Sequence, residues 1–226
     1  MKLWWCIPSI DPVWGDSCWT SLHPAIRERC IFVDNFTVNR GVAPSWNLGI
    51  AQAEDLDADW LVLCSEAMRF GEPGGRDFER RVITSRDAPW VDCGYSWHLI
   101  ALRMNVIYHV GRFDETFWPA YYEDADYDRR LQLAGFFSPR APDRPEPPVG
   151  GIDVVEVGAG HSIDAGLVSV DMGIQAAKYA TKWGGGKGHE QYTTPYGSRD
   201  LTFRDVTLGD VLREPGQRAR RVALGT

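Results

Sequence analysis

A chain of 226 residues has room for one sizeable α/β domain but not for two well-cored domains joined by linkers. Hydrophobic residues make up 44% of the sequence and charged residues 24%, close to the globular average, which excludes disordered and fibrous classes. The formal net charge of -7 gives no overall attraction to nucleic acid, although residues 213–221 are locally basic. We therefore expect one folded domain whose charge argues against a nucleic-acid partner.

The cysteines and the N-terminal residues indicate the cellular compartment. No C-x-x-C pair occurs, and three of the five cysteines lie in apolar runs: Cys6, Cys18, Cys30, Cys64 and Cys93 are the full set. This pattern predicts reduced, buried thiols and excludes a disulfide framework or a zinc knuckle. The apolar part of MKLWWCIP is too short for a signal peptide, and no run approaches the roughly 18 apolar residues of a membrane span. We expect a soluble, cytoplasmic protein with no transmembrane segment.

Short apolar runs rich in β-branched and aromatic residues predict the strands of the first half of the chain. They cover residues 3–7, 30–34, 60–64, 91–95 and 99–103. Helices are predicted at 44–54, where Pro44 suits a first helical turn, and at 76–86. The segment between the first two strands is expected to be irregular with one short helix.

Strands that alternate with helices predict an α/β fold with a mostly parallel central sheet and helices on both faces. Ligands bind such sheets at the carboxyl ends of the strands. The residues that directly follow the strands are therefore the first to inspect for a site, and they include Asp34, Ser65 and Glu66.

The second half of the chain contains one acidic helix and two segments without periodicity. Helices are predicted at 123–134, with Gly135 as the C-cap, and at 169–183, and a last strand is predicted at 152–157. Five prolines predict a loop at 138–151, and the glycine-rich segment 184–189 is expected to be mobile.

The stretch YYEDADYDRRLQLAGF holds the densest cluster of acids in the chain. The helix dipole and ion pairs at i+3 and i+4 with Arg129 or Arg130 account for Asp126 and Asp128. They do not account for Glu123-Asp124, because the preceding GRFDETFWPAYY adds a glycine, two acids and five aromatics that helix capping does not require.

Five motifs in this sequence resemble family 2 glycosyltransferases in their order and spacing. The segment VGRFDETFWPAYYEDADYDRRLQLAGF resembles the family's acidic helix, and the ending YATKWGG followed by TPYG resembles rhamnosyltransferase-like members. The other three motifs are VDNFTVNRGVAPSWNLGI, ADWLVLCSEA and GAGHS. Together they span roughly residues 3 to 196.

This resemblance implies a single GT-A domain over residues 1–200, followed by a C-terminal helix and basic tail at 201–226. Within the domain it implies a nucleotide-sugar binding half at about 1–103 and an acceptor and catalytic half at about 104–200. The implied activity is an inverting transfer of a hexosyl or deoxyhexosyl group from a nucleoside-diphosphate sugar of the UDP, dTDP or GDP type. The acceptor class stays open between a glycan, a protein and a small molecule.

The resemblance also assigns roles to individual residues. Asp124 would be the general base that removes a proton from the acceptor hydroxyl, and Glu123 would bind the acceptor or orient the base. The implied donor-binding residues are Asp34, Asn35, Asn39, Asn47, Glu66 and Lys182. Trp118, Tyr121 and Tyr122 would stack on an acceptor sugar, or alternatively form an aromatic cluster under the helix. Segments 138–151 and 184–189 are candidates for a lid over the donor.

The family's metal-binding D-x-D motif is incomplete in this chain, because its position reads Ser65-Glu66-Ala67. Glu66 and His161 would hold Mn²⁺ or Mg²⁺ if a metal is used. Alternatively, Lys182, Arg40 or Arg69 would supply the positive charge beside the diphosphate.

Two other functions are compatible with the same type of fold. A sugar nucleotidyltransferase would carry a glycine-rich, arginine-containing loop after the first strand, whereas this chain has PSIDPVWGD there. A catalytically degenerate module that binds a nucleotide sugar or a glycan agrees with the incomplete D-x-D motif, but it would have no need of the Glu123-Asp124 pair.

Overall fold

The computed structural model describes residues 1–85, 87–94, 96–136, 154–157 and 170–193, and for 154–157 it describes the backbone alone. Seven strands lie in these ranges. They are β1 Leu3–Ser9, β2 Cys30–Asp34, β3 Trp60–Cys64, β4 Met68–Phe70, β5 Trp90–Asp92, β6 Leu99–Arg103 and β7 Val154–Val157. Strands β2, β3 and β6 have the predicted bounds. The bounds of β1, β5 and β7 differ from the prediction by a few residues, and β4 was not predicted.

Seven α-helices and one short 3-10 helix lie in the same ranges. The α-helices are α1 Pro12–Ser21, α2 Pro24–Arg27, α3 Val42–Asp55, α4 Arg76–Thr84, α5 Met104–Val110, α6 Glu123–Leu133 and α7 Met172–Trp183, and the 3-10 helix is Ser96–His98. None of the helices in the described part of the chain combines the length and apolar character that crossing a bilayer requires.

The main sheet has five strands in the order β2-β1-β3-β6-β5. Strand β1 pairs in parallel with β2 and β3, whereas β6 runs antiparallel to both β3 and β5. The α/β class and a parallel core are therefore confirmed, but the sheet is mixed. Strands β4 and β7 form a separate antiparallel pair.

Helices cover both faces of the sheet, as predicted. One apolar cluster joins the sheet to α3, α5 and α6, with Ile50, Ile107 and Leu131 as examples. A second cluster on the other face joins the sheet to α1, α2 and α4, with Cys18 and Phe78 among its members. The five cysteines carry no disulfide, and four of them are fully buried.

The segment expected to be irregular with one short helix holds two helices, α1 and α2. Asp11 caps α1, because its Oδ1 accepts hydrogen bonds from the backbone N of Val13 at 2.8 Å and of Trp14 at 3.2 Å. Pro12 stands at the first helical position, which suits its fixed φ angle. In the sequence, the signal for this helix is the Asp-Pro dipeptide directly after a strand. The scattered apolar residues that follow it do not indicate a helix.

The carboxyl ends of β1, β2 and β3 meet at one edge of the sheet, here called the carboxyl edge. The backbone N of Asn35, after β2, donates to the carbonyl of Ser9 at the end of β1 at 2.7 Å. The backbone N of Ser65, after β3, donates to the carbonyl of His98 at 2.8 Å. His98 reaches this edge because β6 is antiparallel, so that its first residue pairs with the last residue of β3.

Candidate active site

Two tyrosines precede α6 in an uncommon backbone conformation. Tyr121 and Tyr122 have φ angles of 73° and 71°. Side chains other than glycine rarely adopt this left-handed region, which costs about 1–3 kcal/mol per residue and persists mostly at functional sites. Tyr122 is the N-cap residue of α6, yet its side chain makes no capping hydrogen bond. The sharp turn places Glu123 and Asp124 at the start of α6.

Glu123 is a buried carboxyl group with one oxygen that has no partner in the described part of the chain. It is 5% exposed, and among the residues that the structure describes its Oε2 has no hydrogen-bond partner. Burial, together with the neighbouring charge of Asp124, raises the pKa of Glu123 to about 8. Glu123 is therefore protonated at neutral pH and can donate a hydrogen bond.

This burial makes stability depend on pH, and Glu123→Gln should remove that dependence. The folded pKa is raised, so the stabilisation is complete below the unfolded value of about 4.5 and is lost as pH rises toward 8. The loss amounts to about 1.4 kcal/mol per pH unit in that window. In urea unfolding at pH 5, 6, 7 and 8, the stability of Glu123→Gln relative to wild type should rise steadily with pH.

The control for this experiment is Glu28→Gln, which changes an exposed glutamate at the end of α2. Its difference from wild type should stay constant across the same pH series. A Glu123→Gln curve parallel to that of wild type would contradict the protonated state of Glu123.

Asp124 is less buried than Glu123 and interacts electrostatically with a histidine. Its Oδ1 accepts a hydrogen bond from the backbone N of Ala125 at 2.7 Å. Burial lowers the pKa of His98, and the charge of Asp124 acts on it in the opposite direction. Because the His98 carbonyl binds Ser65, this interaction connects the start of α6 to the carboxyl edge. Sequence reasoning missed His98, whose only signal was its position directly before a strand.

The Glu66 carboxylate accepts hydrogen bonds from within the protein. It is 7% exposed, and its Oε2 accepts hydrogen bonds from Ser9 Oγ at 2.6 Å, Ile10 N at 3.0 Å and Asp11 N at 3.2 Å. Burial raises the pKa of Glu66, while these hydrogen bonds oppose the rise. The carboxylate thus ties the loop after β1 to the end of β3.

At the D-x-D position one carboxylate is available to a divalent metal ion, and a metal site there stays a prediction. Mn²⁺ and Mg²⁺ need several oxygen ligands, whereas Ser65-Glu66-Ala67 offers one carboxylate with three donors already on one oxygen. Throughout the described ranges, no group of three His, Cys, Asp or Glu side chains is arranged to hold a metal. The other predicted ligand, His161, lies outside the described residues.

Asp34 shapes the loop that follows β2. Its Oδ1 accepts from the backbone N of Phe36 at 2.9 Å and of Thr37 at 3.2 Å, and its Oδ2 accepts from Thr37 Oγ1 at 2.9 Å. Burial alone would raise the pKa of Asp34, but these hydrogen bonds and the charge of Arg40 bring it below its usual value. Many loop aspartates form turns in this way. A contact of Asp34 with the sugar-nucleotide donor stays a prediction.

The three asparagines of the predicted donor site serve mainly to fix the backbone. Asn39 Oδ1 accepts from the backbone N of Gly41 at 2.9 Å. Asn35 Nδ2 donates to Ser45 Oγ at 2.6 Å, while in the described structure its buried Oδ1 has no partner. The Asn47 amide is fully used on the segment before α6, as it donates to the Phe113 carbonyl and Glu115 Oε1 and accepts from the Phe113 backbone N.

Lys182 lies in an ion-pair network between α6 and α7, and its contact with the donor stays a prediction. Its Nζ is 2.6 Å from Asp114 Oδ2 and 2.6 Å from Asp126 Oδ1. Asp126 is fully buried, and it also accepts from Trp183 Nε1 at 2.9 Å and from Arg130 Nε at 3.0 Å. The charge of Lys182 is therefore neutralised by protein carboxylates. The predicted i+4 ion pair of Asp126 with Arg130 is present, and it is buried.

The glycine-rich segment after α7 folds back on that helix. The backbone N atoms of Gln191 and Tyr192 donate to the Trp183 carbonyl, and Tyr179 donates its hydroxyl to Glu190 Oε1 at 2.5 Å. These contacts hold residues 190–192 against α7, and a lid role for 184–189 stays a prediction. The other predicted lid, 138–151, and the predicted tail, 201–226, lie outside the described residues.

The three aromatic residues of the predicted acceptor site differ in their surroundings. Trp118 is 51% exposed and packs against Gly41, where an added Cβ would stand 2.7 Å from the indole ring. Tyr122 instead packs on Tyr179 with ring centroids 5.4 Å apart, within a small cluster under α6. Tyr121 is partly buried. Trp118 is thus the aromatic of the three that is best exposed for stacking on a sugar.

Comparisons with known proteins add no relatives. A scan against models of protein families found no family that matches, and a search of curated proteins found no match. The resemblance to glycosyltransferases therefore rests on the sequence motifs.

Proposed function

We propose that the protein is an inverting glycosyltransferase with a GT-A fold, which moves a sugar from a nucleoside-diphosphate sugar to an acceptor hydroxyl. The observation that carries this proposal is the Glu123-Asp124 pair. Glu123 is buried and its pKa is raised to about 8, whereas Asp124 is more exposed, so we assign the role of general base to Asp124. A pure binding protein has no need of such a base at a strained helix start.

The chemistry follows from the position of Asp124. The helix dipole of α6 favours a carboxylate in its first turn. As the acceptor oxygen forms its bond to the anomeric carbon, Asp124 takes the hydroxyl proton, and the bond from that carbon to the diphosphate oxygen breaks with its electron pair staying on the diphosphate. In-line placement of the three atoms supplies much of the rate and inverts the configuration. Glu123, as a neutral donor, orients the acceptor beside the base.

The carboxyl edge is the proposed donor site, and Trp118 marks the proposed acceptor side. The loop shaped by Asp34 and the end of β1 lie at this edge, where ligands bind in open α/β sheets. The carbonyl of Pro119, next to Trp118, accepts a hydrogen bond from the backbone N of Val42 at 2.8 Å. This bond links the segment before the acid pair to the start of α3, and we propose that Trp118 lies between the carboxyl edge and the acid pair. We propose a donor of the UDP, dTDP or GDP type and leave the acceptor as a glycan, a protein or a small molecule.

The test is a turnover screen with the purified chain. UDP-, dTDP- and GDP-sugars are each incubated with a panel of glycan, peptide and small-molecule acceptors, and release of the nucleoside diphosphate is followed alongside product mass. Acceptor-dependent release from one nucleotide class with an inverted linkage is the expected result. Absence of release from every donor, with and without Mn²⁺, would overturn the proposal.

A catalytically degenerate binding module is the second candidate. The observation that favours it is Glu66, whose carboxylate is occupied by Ser9 and the following backbone, so that the D-x-D position has lost its usual chemistry. Tight binding of a nucleotide sugar without turnover across the whole acceptor panel would favour this module over the enzyme.

A further inference from the structure

Strand β2 is an edge strand of the main sheet, and its outer side is not paired in the described part of the chain. The strand order ends at β2, whose pairing partner is β1. Arg29, just before β2, and Asn35, just after it, both bond through their backbone to β1. Backbone groups alternate in direction along a strand, so the N–H and C=O groups of Cys30, Phe32 and Asp34 point away from β1.

These outward backbone groups form few hydrogen bonds. Across the residues that the structure describes, the backbone N–H and C=O groups of Cys30 and Phe32 have no hydrogen-bond partner. The Asp34 carbonyl accepts from Arg40 Nη1 at 2.5 Å, and a carbonyl oxygen can accept a second hydrogen bond. The outer side of β2 is therefore able to pair with another strand.

The sequence of β2 lacks the features that usually keep an edge strand from pairing. Natural edge strands are protected by charged side chains, prolines, bulges or short length. Residues 30–33 contain no charge and no proline, and β2 keeps a continuous register with β1 over its five residues. Strand β5, at the other edge of the sheet, has three residues. The β2 edge is thus the longer and less protected of the two.

Phe32 lies at the middle of this edge, with its ring partly in solvent. The side chain is 37% exposed, and its ring meets that of Trp19 in a T-shaped contact with centroids 6.1 Å apart. Ile31 and Val33, which point to the opposite face, are 4% and 6% exposed. These buried neighbours hold the strand in the sheet, so the Phe32 ring has a fixed position. Aromatic rings on directly opposed residues stabilise a strand pair.

We infer that the protein forms a two-fold dimer in which β2 pairs antiparallel with β2 of a second copy. With the axis at Phe32, the two Phe32 residues stand opposite each other and exchange both of their backbone hydrogen bonds. Cys30 of each copy then stands opposite Asp34 of the other, which satisfies the remaining outward groups of the strand. No like charges are opposed within the paired strands, and the two aromatic rings meet on one face of a continuous sheet.

A second copy fits this edge because the edge is complementary to itself. The outward residues are spaced evenly around Phe32, so a two-fold rotation places each donor on an acceptor. Closed two-fold dimers are the commonest form of soluble oligomer. The pairing also leaves no free β2 edge to which further copies could add. The inference does not depend on the proposed activity.

Sedimentation velocity of the full chain, from micromolar to submillimolar concentration, tests the dimer. The mean mass should rise from the 25.4 kDa of the single chain toward twice that value. Hydrogen exchange with residue resolution, measured by NMR, tests the surface that is used. The Phe32 amide should be protected at high concentration and lose its protection on dilution, because its hydrogen-bond acceptor is then the second copy.

Phe32→Lys should weaken the association about tenfold or more, because it removes the aromatic pair and places two like charges opposite each other. Phe32→Thr keeps an uncharged, β-forming side chain and should weaken the association less, and it provides the reading if Phe32→Lys does not fold. Ile83→Lys is the matched control, since Ile83 is also an exposed apolar residue, at 47%, but lies on α4. It should associate like wild type, and melting temperatures show whether each variant is folded.

A single-chain mass at every concentration would overturn the inference. A dimer whose affinity is unchanged in both Phe32 variants would also overturn it, since that dimer would form through another surface. A protected Phe32 amide in a species of single-chain mass would do the same, because another segment of the same chain would then cover the β2 edge.

Discussion

Replacing Asp124 by asparagine should lower the rate of sugar transfer by about a thousandfold while leaving the affinity for the nucleoside diphosphate unchanged. A positioned general base contributes about 10²- to 10⁴-fold to such reactions, and an amide of the same shape cannot accept the acceptor proton. Donor binding should persist, because the proposed contacts to the nucleotide lie at the carboxyl edge and not on α6. The loss should therefore appear in kcat, with little change in the donor KM.

The measurement is steady-state release of the nucleoside diphosphate with the donor and acceptor that the screen identifies. Asp128→Asn is the control, since Asp128 lies one turn further along the same helix and its substitution should change the rate by less than about twofold. Transfer by Asp124→Asn at more than a tenth of the wild-type rate would contradict the assignment of the base. Weaker diphosphate binding by the variant would show instead that Asp124 contacts the donor.

The two acids of the Glu123-Asp124 pair have different environments in the structure. In the sequence, Glu123 and Asp124 are two adjacent carboxylates at a helix start, with nothing to separate their roles. In the folded protein Glu123 is buried, with Oε2 unpartnered among the described residues, and Asp124 stays more accessible and acts electrostatically on His98. Two neighbouring acids with different environments are the usual means by which a site obtains a proton donor and a base at one pH.

Much of the fold could be predicted because its elements have strong local signals. Strands β2, β3 and β6 are short apolar runs with clear boundaries, and α6 has both acids at its start and a glycine after its end. The direction of β6 could not be predicted, because the apolar pattern of a buried strand is the same in either direction. Strand β4 was missed since its three residues are a strand only through pairing with β7, far along the chain.

The site was predicted less evenly than the fold. The sequence placed Asp34 and Glu66 at the carboxyl ends of strands and the acid pair at the start of a helix, as the structure has them. It could not show that Asn47 is fully occupied by Phe113 and Glu115, or that Lys182 is neutralised by Asp114 and Asp126. The partners of Asn47, and Asp114 as the partner of Lys182, lie 66 to 68 residues away in sequence, and no local pattern records them.

The network around Asp126 explains why lysine and tryptophan follow each other at the end of α7. Lys182 and the indole N–H of Trp183 both reach Asp126 Oδ1, and Arg130 holds Oδ2 from one turn along α6. Arg130 also donates to the carbonyls of Val110 and Arg112, so that one buried aspartate joins α6, α7 and the segment after α5. The start of α6, with the proposed base, is held in place by these contacts.

Asp126→Ala should therefore destabilise the protein by about 3–5 kcal/mol, the range found when one partner of a buried ion pair is removed. The alanine would leave Arg130, which is 3% exposed, with an uncompensated charge and would leave the Trp183 N–H without its acceptor. Free energies of unfolding from urea titration measure the loss, and Asp126→Asn gives a second reading if the alanine variant does not fold.

The matched control is Asp77→Ala, because Asp77 also lies in the first turn of a helix and pairs with an arginine, but that arginine is 70% exposed. Exposed pairs contribute at most about 1 kcal/mol, since water screens both charges. A large difference between the two variants is what burial predicts. Equal and small losses of unfolding free energy in the two variants would mean that Asp126 is well solvated in solution. In that case neither the packing of α7 on α6 nor the position of Asp124 could depend on this network.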